Sequence, residues 1–294
     1  DECCCIREYN ASQAYLQKVN RAQPTNNPII AQYFYIGDDD QWNNKNVPFN
    51  LLNRLYISFA WIKENQTGNW VLTYKENGDE LKIDTIIKNC RNKNPNAKIL
   101  ISSGYDNGSM YINAGKNTKA YATSVVDFIR EKKIDGYDMD WENGINSNVL
   151  NSLLKELRTQ FDKAGAEDGK QYILTLAVWQ YAWQGSYDLS KISQYVDQIN
   201  IMSYGKQRSM EECVNSYKPF PVSKMIGGIE TEANYGEGGP DTLGNDGTIK
   251  QKCQYALDNN MAGMMEWRID NDYVDPVTKK PTFKGAEAMF EYMK

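Results

Sequence analysis

The 294-residue sequence contains no histidine at all. That absence excludes a Ser-His-Asp triad, a Cys-His nucleophile pair and any His-ligated metal. Neither a metal nor another cofactor is expected. No apolar run approaches the ~18 residues of a membrane span, and no segment has the form of a signal peptide. Cysteines never form a CxxC pair. The six stand at 3, 4, 5, 90, 213 and 253, and whether they form disulfides or stay as thiols is open. Positive charge is in deficit, with 33 Lys and Arg against 38 Asp and Glu and a net charge of −5. That balance argues against a nucleic-acid partner. A Gly-rich phosphate loop after the first strand is missing too, which weighs against a doubly wound nucleotide-binding sheet.

What is present is an alternation of apolar runs and helical periodicity. Residues 1–28 are polar, with a short helix near Ala11–Arg21, and read as an N-terminal extension. Strands are expected at 29–36, 54–61, 97–103, 134–142, 172–179, 196–204, 224–229 and 261–267. Helices are expected at 81–91, 120–132, 148–164, 248–259 and 283–293. Eight nearly continuous apolar strands joined by helical segments predict an α/β fold. The expected architecture is a (β/α)8 TIM barrel over residues 29–294, with every crossover right-handed.

The most informative stretch is Ile134-Asp-Gly-Tyr-Asp-Met-Asp-Trp-Glu142. On a strand, Asp138, Asp140 and Glu142 share one face. A solvent-facing edge would tolerate three such charges. A buried strand end would force partners or protonation on them. Ile134 and Gly136 on the same face, and Trp141 between the acids, favour burial. In a barrel, functional side chains collect at the C-terminal strand ends, which here carry Trp61, Ser103, Glu142, Trp179, Tyr204 and Trp267. Several aromatics on one rim suit the flat C–H faces of pyranose rings.

The run Asp135-Gly-x-Asp138-x-Asp140-Trp-Glu142 resembles the signature of glycoside hydrolase family 18, the retaining chitinases and endo-β-N-acetylglucosaminidases. Asn200-x-Met202-x-Tyr204 is similar to the family's sixth-strand pattern, and Met265-x-Trp267 to its eighth-strand tryptophan. The resemblance implies that Glu142 is the general acid and that Asp140 orients and stabilises the acetamido group. It implies that Asp138 shares a proton with Asp140 and that Tyr204 bonds the acetamido oxygen. Tyr33, Phe59, Met202 and Trp267 are the implied substrate contacts, with Trp61, Trp141 and Trp179 as further rim candidates. Two positions depart from the family. Ser102-Ser-Gly104-Tyr105 lacks a second glycine, and Gly205 stands where many chitinases carry Asp.

The substrate implied is an N-acetylglucosamine-containing polysaccharide or glycan. Chitin is the first reading, since Trp141 between the final acids and Trp267 on the eighth strand resemble chitinases more than glycoprotein-directed endoglycosidases. Only about 30 residues part the last two strands, too few for a groove-walling α+β insert, which implies an open, endo-acting cleft and keeps a second reading open. An endo-β-N-acetylglucosaminidase acting on N-glycans is the alternative. Polar donors for a branched glycan could then come from loop 234–247 or segment 179–188. A non-catalytic chitin-binding lectin and a peptidoglycan-cleaving enzyme are less favoured. A secreted or cell-surface monomer is expected.

Overall fold

The computed structural model describes residues 27–37, 40–105, 108–233 and 238–294. The expected extension over 1–28, its helix near Ala11–Arg21 and Cys3 to Cys5 lie outside the described residues apart from 27 and 28. So do positions 234–237 of the expected glycan-binding loop. Nine strands are described: β1 (Ile29–Tyr35), β2 (Arg54–Glu64), β3 (Trp70–Tyr74), β4 (Lys98–Ser103), β5 (Gly136–Asp140), β6 (Ile173–Val178), β7 (Gln198–Ile201), β8 (Met225–Glu230) and β9 (Gly263–Trp267). All but β3 pair in parallel, and β1 bonds both β9 and β2, which closes an eight-stranded (β/α)8 barrel.

Helices α1 (Asp79–Lys93), α2 (Gly108–Ala114), α3 (Thr118–Lys132), α4 (Ser147–Asp168), α5 (Leu189–Tyr195), α6 (Met210–Tyr217), α7 (Thr248–Asp258) and α8 (Lys284–Met293) surround it. Two features differ from the sequence expectation. β3 is an antiparallel ribbon on the outer half of β2. Between β1 and β2 the described chain makes only short 3-10 turns, at Asp40–Asn43 and Phe49–Leu51. Among the described residues, no helix is long and apolar enough to cross a membrane.

The path into β5 shows how the sequence places the acids. Helix α3 starts where the Asn117 side chain accepts the N–H of Ala120, a short polar cap that satisfies one otherwise unpaired donor. It buries Tyr121, Ala122, Val125, Val126, Phe128 and Ile129, spaced to face the sheet. Lys133 in the left-handed conformation ends it, and the chain turns into β5. There Tyr137 and Met139 face the helices, and Tyr137 shares hydroxyl bonds with Ser103 (2.5 Å) and Tyr121 (2.6 Å). The alternate residues point into the barrel. This register admits no side chain at Gly136, since a Cβ there would lie 2.1 Å from the Ile173 carbonyl oxygen.

Cys90, Cys213 and Cys253 are buried thiols without disulfides, and burial raises them to about 12, 11 and 12. Another buried group matters for stability. Glu230, at the end of β8, is fully buried and neither carboxylate oxygen has a hydrogen-bond partner among the described residues. Burial first, then the charges of Glu232 and Asp241, raise its pKa to about 9 from 4.5. The folded chain therefore holds a proton that the unfolded chain has released, so stability falls as pH rises through that window. Glu230→Gln removes this titration. Thermal unfolding at pH 5 and at pH 8 should show the variant gaining on the wild type as pH rises. The gain is at most about 1.4 kcal/mol per pH unit. Parallel curves across that range would assign the proton elsewhere.

Candidate active site

Asp138 sits at the centre of the barrel, fully buried. The register sets Ser102 of β4 on one side of it and Thr175 of β6 on the other. Four donors reach its carboxylate. Tyr33 Oη (2.8 Å) and Ser102 Oγ (2.7 Å) bond Oδ2, while Thr175 Oγ1 (2.7 Å) and Asn200 Nδ2 (3.3 Å) bond Oδ1. Below them, Arg54 bonds Gln198 (2.7 Å) and the Tyr56 hydroxyl (3.3 Å), placing a cation inside the barrel. Burial raises the Asp138 pKa, and these hydrogen bonds with the Arg54 charge oppose it.

Asp140 lies one pleat above, only 6% exposed. Burial, then the charge of Glu142, then that of Asp138, push its pKa well above the carboxylate range. Its carboxyl is hydrogen-bonded to Glu142, and its Oδ1 has no partner among the described residues. Four other donors reach Asp138, and the described hydrogen bond of the Asp140 carboxyl is to Glu142, not to Asp138. The strand is also shorter than expected. It ends at Asp140, and Glu142 stands just past it, with its N–H on the Tyr105 carbonyl (3.0 Å) and its carbonyl held by Trp179 Nε1 (2.9 Å).

Asp140 and Glu142 open into a cavity of about 240 Å³. Met202 and Tyr204, just past β7, form one wall, and the Tyr204 hydroxyl approaches Met265 Sδ at 3.5 Å. Tyr204 is held from behind. Lys252 Nζ on α7 donates to the carbonyls of Ser203 (2.6 Å) and Gly205 (3.0 Å), and pairs with Asp241 (2.7 Å). Asp241 in turn accepts the Gly205 N–H (3.1 Å). Gly205, the family departure, adopts a positive φ of 98°, a conformation that favours glycine. Trp267 lies across the cavity, with Tyr33 and Phe59 packed against it at centroid distances of 5.6 and 6.0 Å.

Residues 30–237, well over half of the chain, match the family model described as glycosyl hydrolases family 18. The chain belongs to that family. Over 183 residues it is 32% identical to chitinase A1 of Niallia circulans, covering 55% of this chain and 25% of that protein. The chain spans between a quarter and about half of the curated relatives it matches. In fold it is similar to a chitinase of the family from Cycas revoluta, solved with (GlcNAc)4. That likeness has a TM-score of 0.74 and 15% identity, covering 90% of this chain and all of the other. It is also similar to a chitinase-like agglutinin from Robinia pseudoacacia, with a TM-score of 0.71 and 18% identity over 90% of this chain and 99% of that one.

Within this family 18 barrel, the structure brings Asp140, Glu142, Tyr33, Phe59, Met202, Tyr204 and Trp267 to one cavity, with Asp138 beneath. The Tyr33 hydroxyl is occupied by Asp138, so only its ring faces the cavity. Trp141 does not reach the rim. It is 1% exposed, stacked on Tyr111 at 5.0 Å and bonded to the Asn143 carbonyl, because alternation turns it outward when the acids turn inward. Trp61 lines a neighbouring cleft, with Lys75 Nζ 4.4 Å above its ring. Trp179 braces the Glu142 backbone instead of lining the cavity.

Sequence reasoning missed Tyr35, Glu232 and Arg268. Glu232 is the anchor of this side. Its Oε2 accepts from Trp267 Nε1 (2.9 Å), and its Oε1 from Arg268 Nε (2.6 Å) and Asn271 Nδ2 (2.8 Å). Tyr35 follows Tyr33 at strand spacing, a signal that was available. Glu232 lies in a loop, where no periodicity marks it.

Proposed function

We propose that the chain is a retaining, endo-acting glycoside hydrolase that cleaves β-1,4-linked N-acetylglucosamine polymers by substrate-assisted catalysis. One observation carries this reading: Asp140 is hydrogen-bonded to Glu142 in a cavity faced by Tyr204 and Trp267. Glycosidases with an enzymic nucleophile hold their two carboxyls ~5 Å apart with the sugar between them. A carboxyl bonded directly to the acid leaves no such gap. The nucleophile is then the substrate's own acetamido oxygen.

The pair shares one proton. When a sugar stacks on Trp267, its acetamido N–H takes the Asp140 carboxylate as acceptor, and the proton crosses to Glu142. Glu142 gives that proton to the glycosidic oxygen as the C1–O bond breaks and the acetamido oxygen bonds C1. Asp140 carries the negative charge opposite the oxazolinium cation, and the Tyr204 hydroxyl hydrogen-bonds the acetamido oxygen. Water then attacks C1 from the face the leaving group left, breaking the bond from C1 to the acetamido oxygen and giving its proton to Glu142.

Two displacements at C1 leave the product as the β-anomer, and a sugar lacking the acetyl group at the cleavage site should not react. NMR of fresh product tests both points, and an initial α-anomer would mean inversion and end the substrate-assisted reading. Hydrolysis should quicken from the di- to the penta-N-acetylglucosamine. If chitin oligomers stay intact while a high-mannose glycoprotein loses its glycans, the endo-β-N-acetylglucosaminidase alternative replaces chitinase. A lectin role has less support, since all three acids are retained.

Glu232 gives a separate prediction. Glu232→Ala removes three hydrogen bonds, including the one on the Trp267 indole. It should raise KM for oligomers roughly tenfold, the scale of losing a charge-assisted bond, with a smaller change in kcat. An unchanged KM would remove Glu232 from substrate positioning.

A further inference from the structure

The catalytic acid is followed at once by Asn143-Gly144, a pair that the catalytic steps do not use. Both residues stand exposed in the segment between β5 and α4. Among the described residues, no hydrogen bond engages the Asn143 side-chain amide or the Gly144 N–H. Gly144 has a φ of 65°, and the nearest atom to a Cβ built on it, Gly108 Cα, is 4.0 Å away. No side chain of its own screens its nitrogen. The Asn143 carbonyl, by contrast, is engaged, since the buried Trp141 donates its indole N–H to it at 2.7 Å.

These contacts favour one reaction. The asparagine side-chain carbonyl carbon is an electrophile, and the next backbone nitrogen reaches it by closing a five-membered ring. Removing the Gly144 amide proton spreads negative charge over the peptide nitrogen and, by resonance, the Asn143 carbonyl oxygen. The Trp141 indole N–H already points at that oxygen, so the charge develops opposite a fixed donor.

We infer that Asn143-Gly144 is a preferred self-modification site, which converts to aspartate or isoaspartate and, as isoaspartate, disables Glu142. Hydroxide takes the Gly144 amide proton, and the nitrogen bonds Asn143 Cγ. The Cγ–Nδ2 bond then breaks, and Nδ2 takes a proton from water and leaves as ammonia. Water opens the resulting succinimide at one of its two carbonyls. Attack at Cγ gives aspartate, and attack at the backbone carbonyl gives isoaspartate, with the chain now running through Cβ and Cγ.

Isoaspartate puts one more carbon into the backbone, about 1.5 Å of extra length. The segment has no slack to absorb it. The Glu142 N–H is held by the Tyr105 carbonyl and the Glu142 carbonyl by Trp179. The Asn143 carbonyl oxygen is packed so closely that a Cβ on Gly108 would lie 2.3 Å from it. The added carbon therefore displaces the acid, and a shift of about 1 Å at a reacting group can lower the rate a hundredfold. The loss of activity rests on Glu142 as the acid, whereas the conversion itself does not.

The test ages the full chain at mildly alkaline pH and maps its peptides by mass. The peptide holding residues 143 and 144 should gain the mass of an amide-to-acid change, and an isoaspartyl methyltransferase should label it. Turnover of the pentasaccharide should fall in step with the isoaspartate fraction. Asn143→Gln keeps an amide but would have to close a six-membered ring, so this variant should hold its starting activity through the same ageing. An aged chain with Asn143 intact overturns the proposal. So does conversion no faster than at the exposed Asn77-Gly78 pair, whose carbonyl accepts no described donor. Full turnover in the isoaspartate form, or equal decay in Asn143→Gln, overturns the link to Glu142. A fresh chain that cleaves no N-acetylglucosamine oligomer would end the cleavage reading, and the mass and methylation readouts would still decide the modification.

Discussion

Glu142→Gln should lower kcat on unactivated N-acetylglucosamine oligomers by a hundredfold or more while binding stays near the wild-type level. The substitution keeps size and shape. The backbone contacts that fix position 142, the N–H on the Tyr105 carbonyl and the carbonyl under Trp179, do not involve the side chain. The amide can still accept a hydrogen bond from Asp140. Only the transferable proton is gone, so the loss belongs to the transition state and appears in kcat. Steady-state kinetics with tetra- and pentasaccharides, together with a direct binding measurement, separate the two quantities. Near-normal turnover in the variant would remove Glu142 from the role of acid.

The features legible in the sequence were those set by local periodicity. Alternation put Asp138, Asp140 and Glu142 on one face, and the apolar runs located all eight barrel strands. The same alternation should have placed Trp141 against the helices. Its position between the acids favours burial, and Trp141 packs on Tyr111 in the core and not on the rim. The ribbon β3 was missed because a barrel reading expects a helical crossover after β2, while Trp70-Val-Leu-Thr-Tyr74 pairs back antiparallel onto Ala60–Glu64. Long-range partners left no local trace at all. Nothing near Arg54 announces Gln198, nothing near Trp267 announces Glu232, and nothing near Gly205 announces Asp241 and Lys252. Closure of the barrel makes these neighbours, and closure is a property of the whole sheet.

The second large effect is expected at Asp140. In the resting site its carboxyl is bonded to Glu142, and burial and two neighbouring charges favour its protonated form. Asp140→Asn preserves that resting arrangement, since an amide N–H can donate to Glu142 as the carboxyl O–H does. An amide cannot release a proton to Glu142, and it cannot carry negative charge opposite an oxazolinium. The variant should therefore fold and bind oligomers like the wild type, yet lose at least about a hundredfold in kcat, the scale of removing one preorganised electrostatic partner. Asp138 does not compensate, because Tyr33, Ser102, Thr175 and Asn200 already occupy its oxygens. Measured kcat and KM for the pentasaccharide decide the point. A kcat within tenfold of the wild type, or a loss confined to KM, would mean that Asp140 only orients the sugar. The positive charge would then have to be balanced elsewhere in the barrel.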